Sequence, residues 1–78
     1  MKQVQIPSAS NGTVQYGALA AACGEQLEMQ ILKSGGGYYL GTYSENGPFT
    51  RESVQYWPTP EKAQKAWDAG LWTQRTHL

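Results

Sequence analysis

This chain of 78 residues has one cysteine and one histidine, and that scarcity closes several routes at the outset. Cys23 has no partner for an internal disulfide. His77 sits next to the last residue, too isolated to join Cys23 in a tetrahedral zinc site. No cofactor or metal is therefore expected. Net charge is absent too: six basic and six acidic side chains cancel. A domain that lives on phosphate contacts usually carries a basic excess, so nucleic acid and anionic membranes are disfavoured partners. Long apolar runs are missing as well. The longest, Ala18 to Cys23, falls far short of the ~20 residues a membrane span needs. "LAAAC" (Leu19–Cys23) looks like a lipoprotein cleavage site, but the stretch before it is too polar for a signal-peptide core. An unpaired thiol without such a signal favours the reducing cytoplasm.

Aromatic residues are what the chain has in quantity: three Trp, five Tyr and one Phe. Each ring can bury about 150–250 Å², or ~4–6 kcal/mol before entropy at ~25 cal/mol/Å². A single domain over residues 1–78 can hold a core on that supply, although a domain this small is marginal without help. The low charged fraction, 15%, gives a surface with modest colloidal protection, which makes self-association easier.

Along the chain, Lys2–Ile6 alternates like a short edge strand and stops at Pro7; "PSASNG" (Pro7–Gly12) is turn chemistry. Thr13–Cys23 reads two ways. Thr13 can cap a helix ended by Gly24, yet Val14–Tyr16 can equally be extended; the reading adopted is a short helix over Tyr16–Cys23. Leu27, Met29 and Ile31 alternate as a half-buried strand. "SGGG" (Ser34–Gly37) leads into a second strand, "YYLGTY" (Tyr38–Tyr43). "ENG" (Glu45–Gly47) marks a hairpin, because Asn-Gly tolerates the positive φ of a primed turn. The returning strand is expected over Phe49–Trp57 and closes at Pro58. Thr59 as cap, Pro60 at the first helical position and Gly70 as terminator define the clearest element, a helix over Pro60–Ala69. Its buried stripe is Ala63, Ala66 and Trp67, and "LWTQR" (Leu71–Arg75) follows as a docked tail or last strand. The fold class is α+β: a three- to four-stranded antiparallel meander packed against a C-terminal helix.

Candidate chemistry is thin. Cys23 as nucleophile needs a base and an electropositive setting, and among alanines it reads as a small buried residue. "KSGGG" (Lys33–Gly37) is no phosphate loop, since its glycines lead into a strand where the P-loop opens a helix. Glu25, Glu28 and Glu52 have no evident carboxylate partner in an apolar pocket, so they are expected on solvated faces and no enzyme is expected.

The strand Phe49–Trp57 is more informative. Alternation puts Thr50, Glu52, Val54 and Tyr56 on one side and Arg51, Ser53, Gln55 and Trp57 on the other. Tyr, Trp and Arg dominate binding hot spots. The expected function is protein binding, with a homodimer included. The face expected for it carries Arg51, Ser53 and Gln55 beside exposed members of the set Tyr38, Tyr39, Tyr43 and Tyr56. An ordinary solvent-facing strand is the competing reading.

Two resemblances follow from these residues. Strand, turn and strand leading to Thr59 and Ala63 at a helix start resemble AP2-type and integrase arm-binding domains over Tyr38–Trp67. That likeness implies a sheet laid in the DNA major groove. The two strands carry one basic residue between them, Arg51, which leaves little phosphate compensation. "GTYSENGPFTRESVQYWPT" with "AGLWTQR" is similar to small accessory proteins of phages and integrative elements. This likeness implies a setting, an accessory or inhibitor protein that binds a host protein, and no particular site.

Overall fold

A computed structural model describes residues 14–78; the expected edge strand Lys2–Ile6, the turn after it and the Thr13 cap lie outside them. The order is α1 (Ala18–Ala22), β1 (Met29–Ser34), β2 (Gly37–Ser44), β3 (Gly47–Arg51) and α2 (Pro60–Ala69). The three strands form an antiparallel meander in the order β1-β2-β3, so the α+β expectation holds.

Both hairpins are built alike. Ser34 Oγ accepts from Gly36 N–H at 3.3 Å and donates to the Gly37 carbonyl at 3.4 Å. Ser44 Oγ repeats this with Asn46 N–H and the Gly47 carbonyl, each at 3.2 Å. The expected positive φ at Asn46 is not used: Gly37 (+124°) and Gly47 (+113°) take it in the two turns. The serine side chain closes each turn locally, so the left-handed residue falls one place later.

β1 registers on β2 from Met29 opposite Thr42 to Ser34 opposite Gly37. β3 registers with Arg51 opposite Gly41 and Thr50 opposite Thr42. Directly opposed residues share a face, so Met29, Ile31, Leu40, Thr42 and Thr50 line one side and Gln30, Leu32, Tyr39, Tyr43 and Arg51 the other. Helix α1 packs beside β3, and α2 against β2 and β1. Leu19, Ala20, Met29, Leu40 and Ala63 are buried and, with Tyr39, make up the apolar core.

α2 starts and stops as its sequence dictates. Thr59 Oγ1 accepts from Lys62 N–H at 3.2 Å, Pro60 occupies the first turn, and Gly70 is left-handed at φ +70°. Bonds from Gly70 N–H to Trp67 O and from Leu71 N–H to Ala66 O complete a Schellman ending. Only Ala63 of its expected stripe is fully covered; Ala66 and Trp67 are half-buried. α1 occupies the middle of its expected span, while Tyr16 is extended and bridged to Glu28.

The expected strand Phe49–Trp57 is broken. Pairing stops at Arg51, because Leu40 O accepts from both Glu52 N–H (2.8 Å) and Ser53 N–H (3.0 Å). Pairing with β2 resumes at Trp57, bonded to Tyr38 by two 2.7 Å bonds. Two residues of β2, Tyr39 and Leu40, thus oppose five, 52–56. The excess turns outward to hold the tail: Val54 N–H donates to Thr73 O at 2.9 Å, and the Gln55 amide exchanges two 3.0 Å bonds with Thr73. The tail docks through one bridge, Ser53 to Gln74, and forms no fourth strand.

At the centre lies Glu52, expected on a solvated face but fully buried. Its carboxylate accepts from Leu19 N–H (3.0 Å), Ala20 N–H (3.1 Å), the Thr50 hydroxyl (2.6 Å) and the Gln74 amide (2.7 Å). Helix α1 has no side-chain cap of its own at Gly17, so an acid from 33 residues away caps it. A carboxylate suits a helix N-terminus, and four donors answer the cost of burying the charge. Thr50 spends its one proton on Glu52, so the adjacent Thr42 hydroxyl donates to Thr50 and extends the chain of bonds. Burial pushes the Glu52 carboxyl up. The bonds from Leu19, Thr50, Gln74 and Ala20 outweigh it and hold the group below its ordinary value.

This centre generates three predictions. Glu52→Gln places amide protons against backbone donors and costs about 1–3 kcal/mol in urea unfolding. Gly17→Ala costs a similar ~1–3 kcal/mol, because a Cβ there meets the Glu52 carboxylate and the Thr42 methyl. A depressed folded value makes the Glu52 contribution complete above the unfolded value of ~4.3. It is lost as pH falls through the folded value. Acid unfolding of the wild type shows this loss, and Glu52→Gln flattens that limb; parallel acid limbs in the two proteins count against the carboxylate's role.

Candidate binding face

The side of the sheet opposite the helices is where rings collect. On β2, alternation sends Tyr39, Gly41 and Tyr43 to it. Gly41 is buried and has no room for a side chain: a Cβ would meet the Thr50 carbonyl and the Tyr39 ring, so that ring leans across it. Tyr56 arrives from the looped-out segment and packs edge-on against Tyr39, at 5.8 Å between centroids and 83° between planes. Arg51, opposite Gly41, lays its guanidinium over the Tyr56 ring at 4.8 Å from the centroid and donates Nη1 to the Tyr56 phenol oxygen. The loop-out explains this meeting. Strict alternation puts Arg51 and Tyr56 on opposite sides, and five residues against two reset the parity.

The rings are unequally covered. Tyr39 is 6% exposed, Tyr56 39% and Tyr43 50%, with Phe49 at the β3 bulge 40% exposed. Ring surface therefore remains outside among the described residues. Electrostatics differ across the Tyr39–Tyr56 pair. Burial pushes the Tyr39 phenol up, Tyr56 adds to the rise and Arg51 opposes it. The Arg51 hydrogen bond pulls the Tyr56 phenol down against desolvation, helped by Ser34 and by the charges of Arg51 and Arg75.

Of the residues expected to bind, Arg51, Tyr39 and Tyr56 converge and Tyr43 shares their face. Ser53 does not point outward. It is fully buried, accepting from Leu40 N–H at 3.0 Å and donating to Gln55 O at 2.8 Å. Gln55 is occupied with Thr73. Tyr38 belongs to the opposite side, with Lys33 Nζ 5.7 Å from its ring centre. The parity error at Glu52 misplaced Ser53 and Gln55. Phe49, at the β3 bulge, carries no signal of its exposure in the alternation of the sequence. Cys23, expected to be buried, is exposed just beyond α1, because that five-residue helix covers the core with Leu19 and Ala20 alone.

Elsewhere, a cleft of about 220 Å³ is lined by Gln15, Tyr16, Met29, Trp72 and Gln74. Among the described residues no group of three His, Cys, Asp or Glu could hold a metal, and no helix is long and apolar enough to cross a membrane.

The stacked pair yields a titration prediction. In a pH series followed by tyrosine ring NMR, Tyr56 ionises below the usual tyrosine value near 10 and Tyr39 above it. Arg51→Leu returns Tyr56 toward the ordinary value; a Tyr56 midpoint unmoved by that change disproves the contact. No family model, no curated protein and no solved structure matches this chain.

Proposed function

We propose that this is a non-enzymatic protein-binding module that works through its helix-free sheet face. The observation that carries the reading is the ring surface left in water on one side: Tyr43, Tyr56 and Phe49 are all 39–50% exposed beside Arg51. Tyr and Arg are the residue types that anchor interfaces, and here they are held in place by a packed sheet, so little ordering entropy is lost on docking. The likeness to accessory proteins of phages and mobile elements supports an adaptor or inhibitor that acts on a host protein. A homodimer through the same face is a variant of the reading.

Binding of the sheet to DNA has less support. Net charge is zero, and the guanidinium on this face is already stacked on Tyr56. Few phosphates could be neutralised, so affinity would be weak even at low salt.

The test compares two immobilised baits, the wild type and Tyr43→Ser/Tyr56→Ser, in extract of the host cell. A protein retained by the first and lost by the second is then purified, and the double change is expected to weaken its binding by ten-fold or more, about 1.4 kcal/mol. Light scattering over a concentration series reads the dimer variant. A strict monomer that retains nothing dependent on these tyrosines sinks the proposal. In a retardation assay at low salt, duplex DNA is expected to stay unshifted.

A further inference from the structure

Two short ladders extend the sheet, one at each end. Upstream of α1, Tyr16 stands opposite Glu28, between the bonds from Gly17 N–H to Leu27 O (3.0 Å) and from Met29 N–H to Gln15 O (2.8 Å). In the tail, Gln74 stands opposite Ser53, between Val54 N–H to Thr73 O (2.9 Å) and Arg75 N–H to Glu52 O (2.7 Å). A residue flanked in this way turns its own N–H and C=O away from the partner strand. Among the described residues, neither Tyr16 nor Gln74 has a main-chain partner on that outer side. Yet both border one cleft of about 220 Å³, together with Gln15, Met29 and Trp72. The sheet therefore curls until its two ends stand on either side of that space. Four antiparallel pairings separate the ends, so the two edges run in the same direction.

The side chains at the cleft carry the same neutral chemistry. Gln15 Oε1 accepts from Trp67 Nε1, which leaves the Gln15 amide hydrogens over. Gln74 Nε2 donates to the Glu52 carbonyl and carboxylate and to the Arg75 carbonyl, which leaves Gln74 Oε1 over. None of the five lining residues is charged. The charged neighbours are engaged or turned away. Glu52 is answered by four donors, and Arg75 Nη1 serves the Arg51 carbonyl at 3.2 Å. Glu28, directly opposite Tyr16, takes the side of Gln30 and not that of Met29. We infer that this cleft is a second binding site, one that takes an extended, uncharged peptide segment of a partner as an added strand. The segment lies between Tyr16 and Gln74 and runs antiparallel to both, so each of its edges meets main-chain groups that have no other partner. Charge selects that occupant: a wall of neutral donors and acceptors matches a peptide main chain and cannot repay the desolvation of an ion. The site lies at the ends of the sheet and does not depend on the ring face.

The probe is the neutral peptide acetyl-Thr-Val-Thr-Val-Thr-amide, and its control carries an N-methyl group on the central residue. Both are titrated to millimolar concentration into the full chain while the backbone amides are followed by NMR. The peptide is expected to shift the Tyr16 and Gln74 amides saturably and to slow their hydrogen exchange, with the control about ten-fold weaker. Tyr16→Pro removes one outward N–H and leaves the flanking bonds, a change an edge position tolerates. It is expected to weaken the peptide by about ten-fold as well. Unchanged Leu19 and Ala20 amides, both held by Glu52, show that the variant is folded; if it is not, the N-methyl control decides on the wild type alone. Equal binding of peptide and control overturns the inference, as does the absence of any shift at Tyr16 and Gln74. Shifts confined to Tyr43 and Tyr56 also overturn it, while leaving the ring face as a docking surface. Contacts from the Tyr16 and Gln74 amides to residues 1–13 in the free protein give the cleft to the chain itself and overturn it. So does a dimer formed through these two amides.

Discussion

A single buried carboxylate organises this domain. Glu52 is where α1, β3 and the tail meet, since its four donors come from all three. Burying an ion in a small domain is costly, and among the described residues the charge is answered without a counter-cation. Backbone N–H groups at a helix end, a hydroxyl relay and a primary amide share the charge. Gly17 leaves the space for it. The largest fully buried side chains besides Leu40 are Glu52, Thr42 and Ser53, so the centre is held by directed bonds as much as by oil. That choice favours a unique arrangement over raw stability.

The same segment that buries Glu52 also produces the exposed rings. Seating the carboxylate beneath α1 breaks β3, and the break throws out residues 52–56. The excess chain clasps Thr73 on one side and delivers Tyr56 over Tyr39 on the other. Core and candidate face are therefore two ends of one backbone irregularity. The face inherits its rigidity from the core, which is what a preformed recognition surface requires. Its chemistry, tyrosine rings beside the Arg51 guanidinium, gives the binding proposal its content.

The architecture was legible in the sequence where signals are local. Thr59, Pro60 and Gly70 set α2 to the residue, the glycines after Ser34 and Ser44 set both hairpins, and the alternation from Leu27 to Ile31 set β1. The non-local features were not legible. Nothing in "TRES" announces that its glutamate caps a helix 33 residues earlier, because the cap vacancy at Gly17 and the acid that fills it share no spacing. Period-two reasoning fails once a strand loops out. That is why Ser53 and Gln55 were assigned outward while Arg51 and Tyr56 were separated. Arg51, Tyr39, Tyr43 and Tyr56, which share a side in the structure, stand out by residue type, which does not depend on register.

The remote cap bears on the order in which the parts come together. Five residues are too few for a helix to persist by itself in water, and α1 lacks a cap nearby. The earliest described helix in the chain is thus a late arrival during synthesis. It waits for an acid thirty-odd positions downstream and then for the glutamine at 74, while the two hairpins, closed by their own serines, can form as soon as they are made.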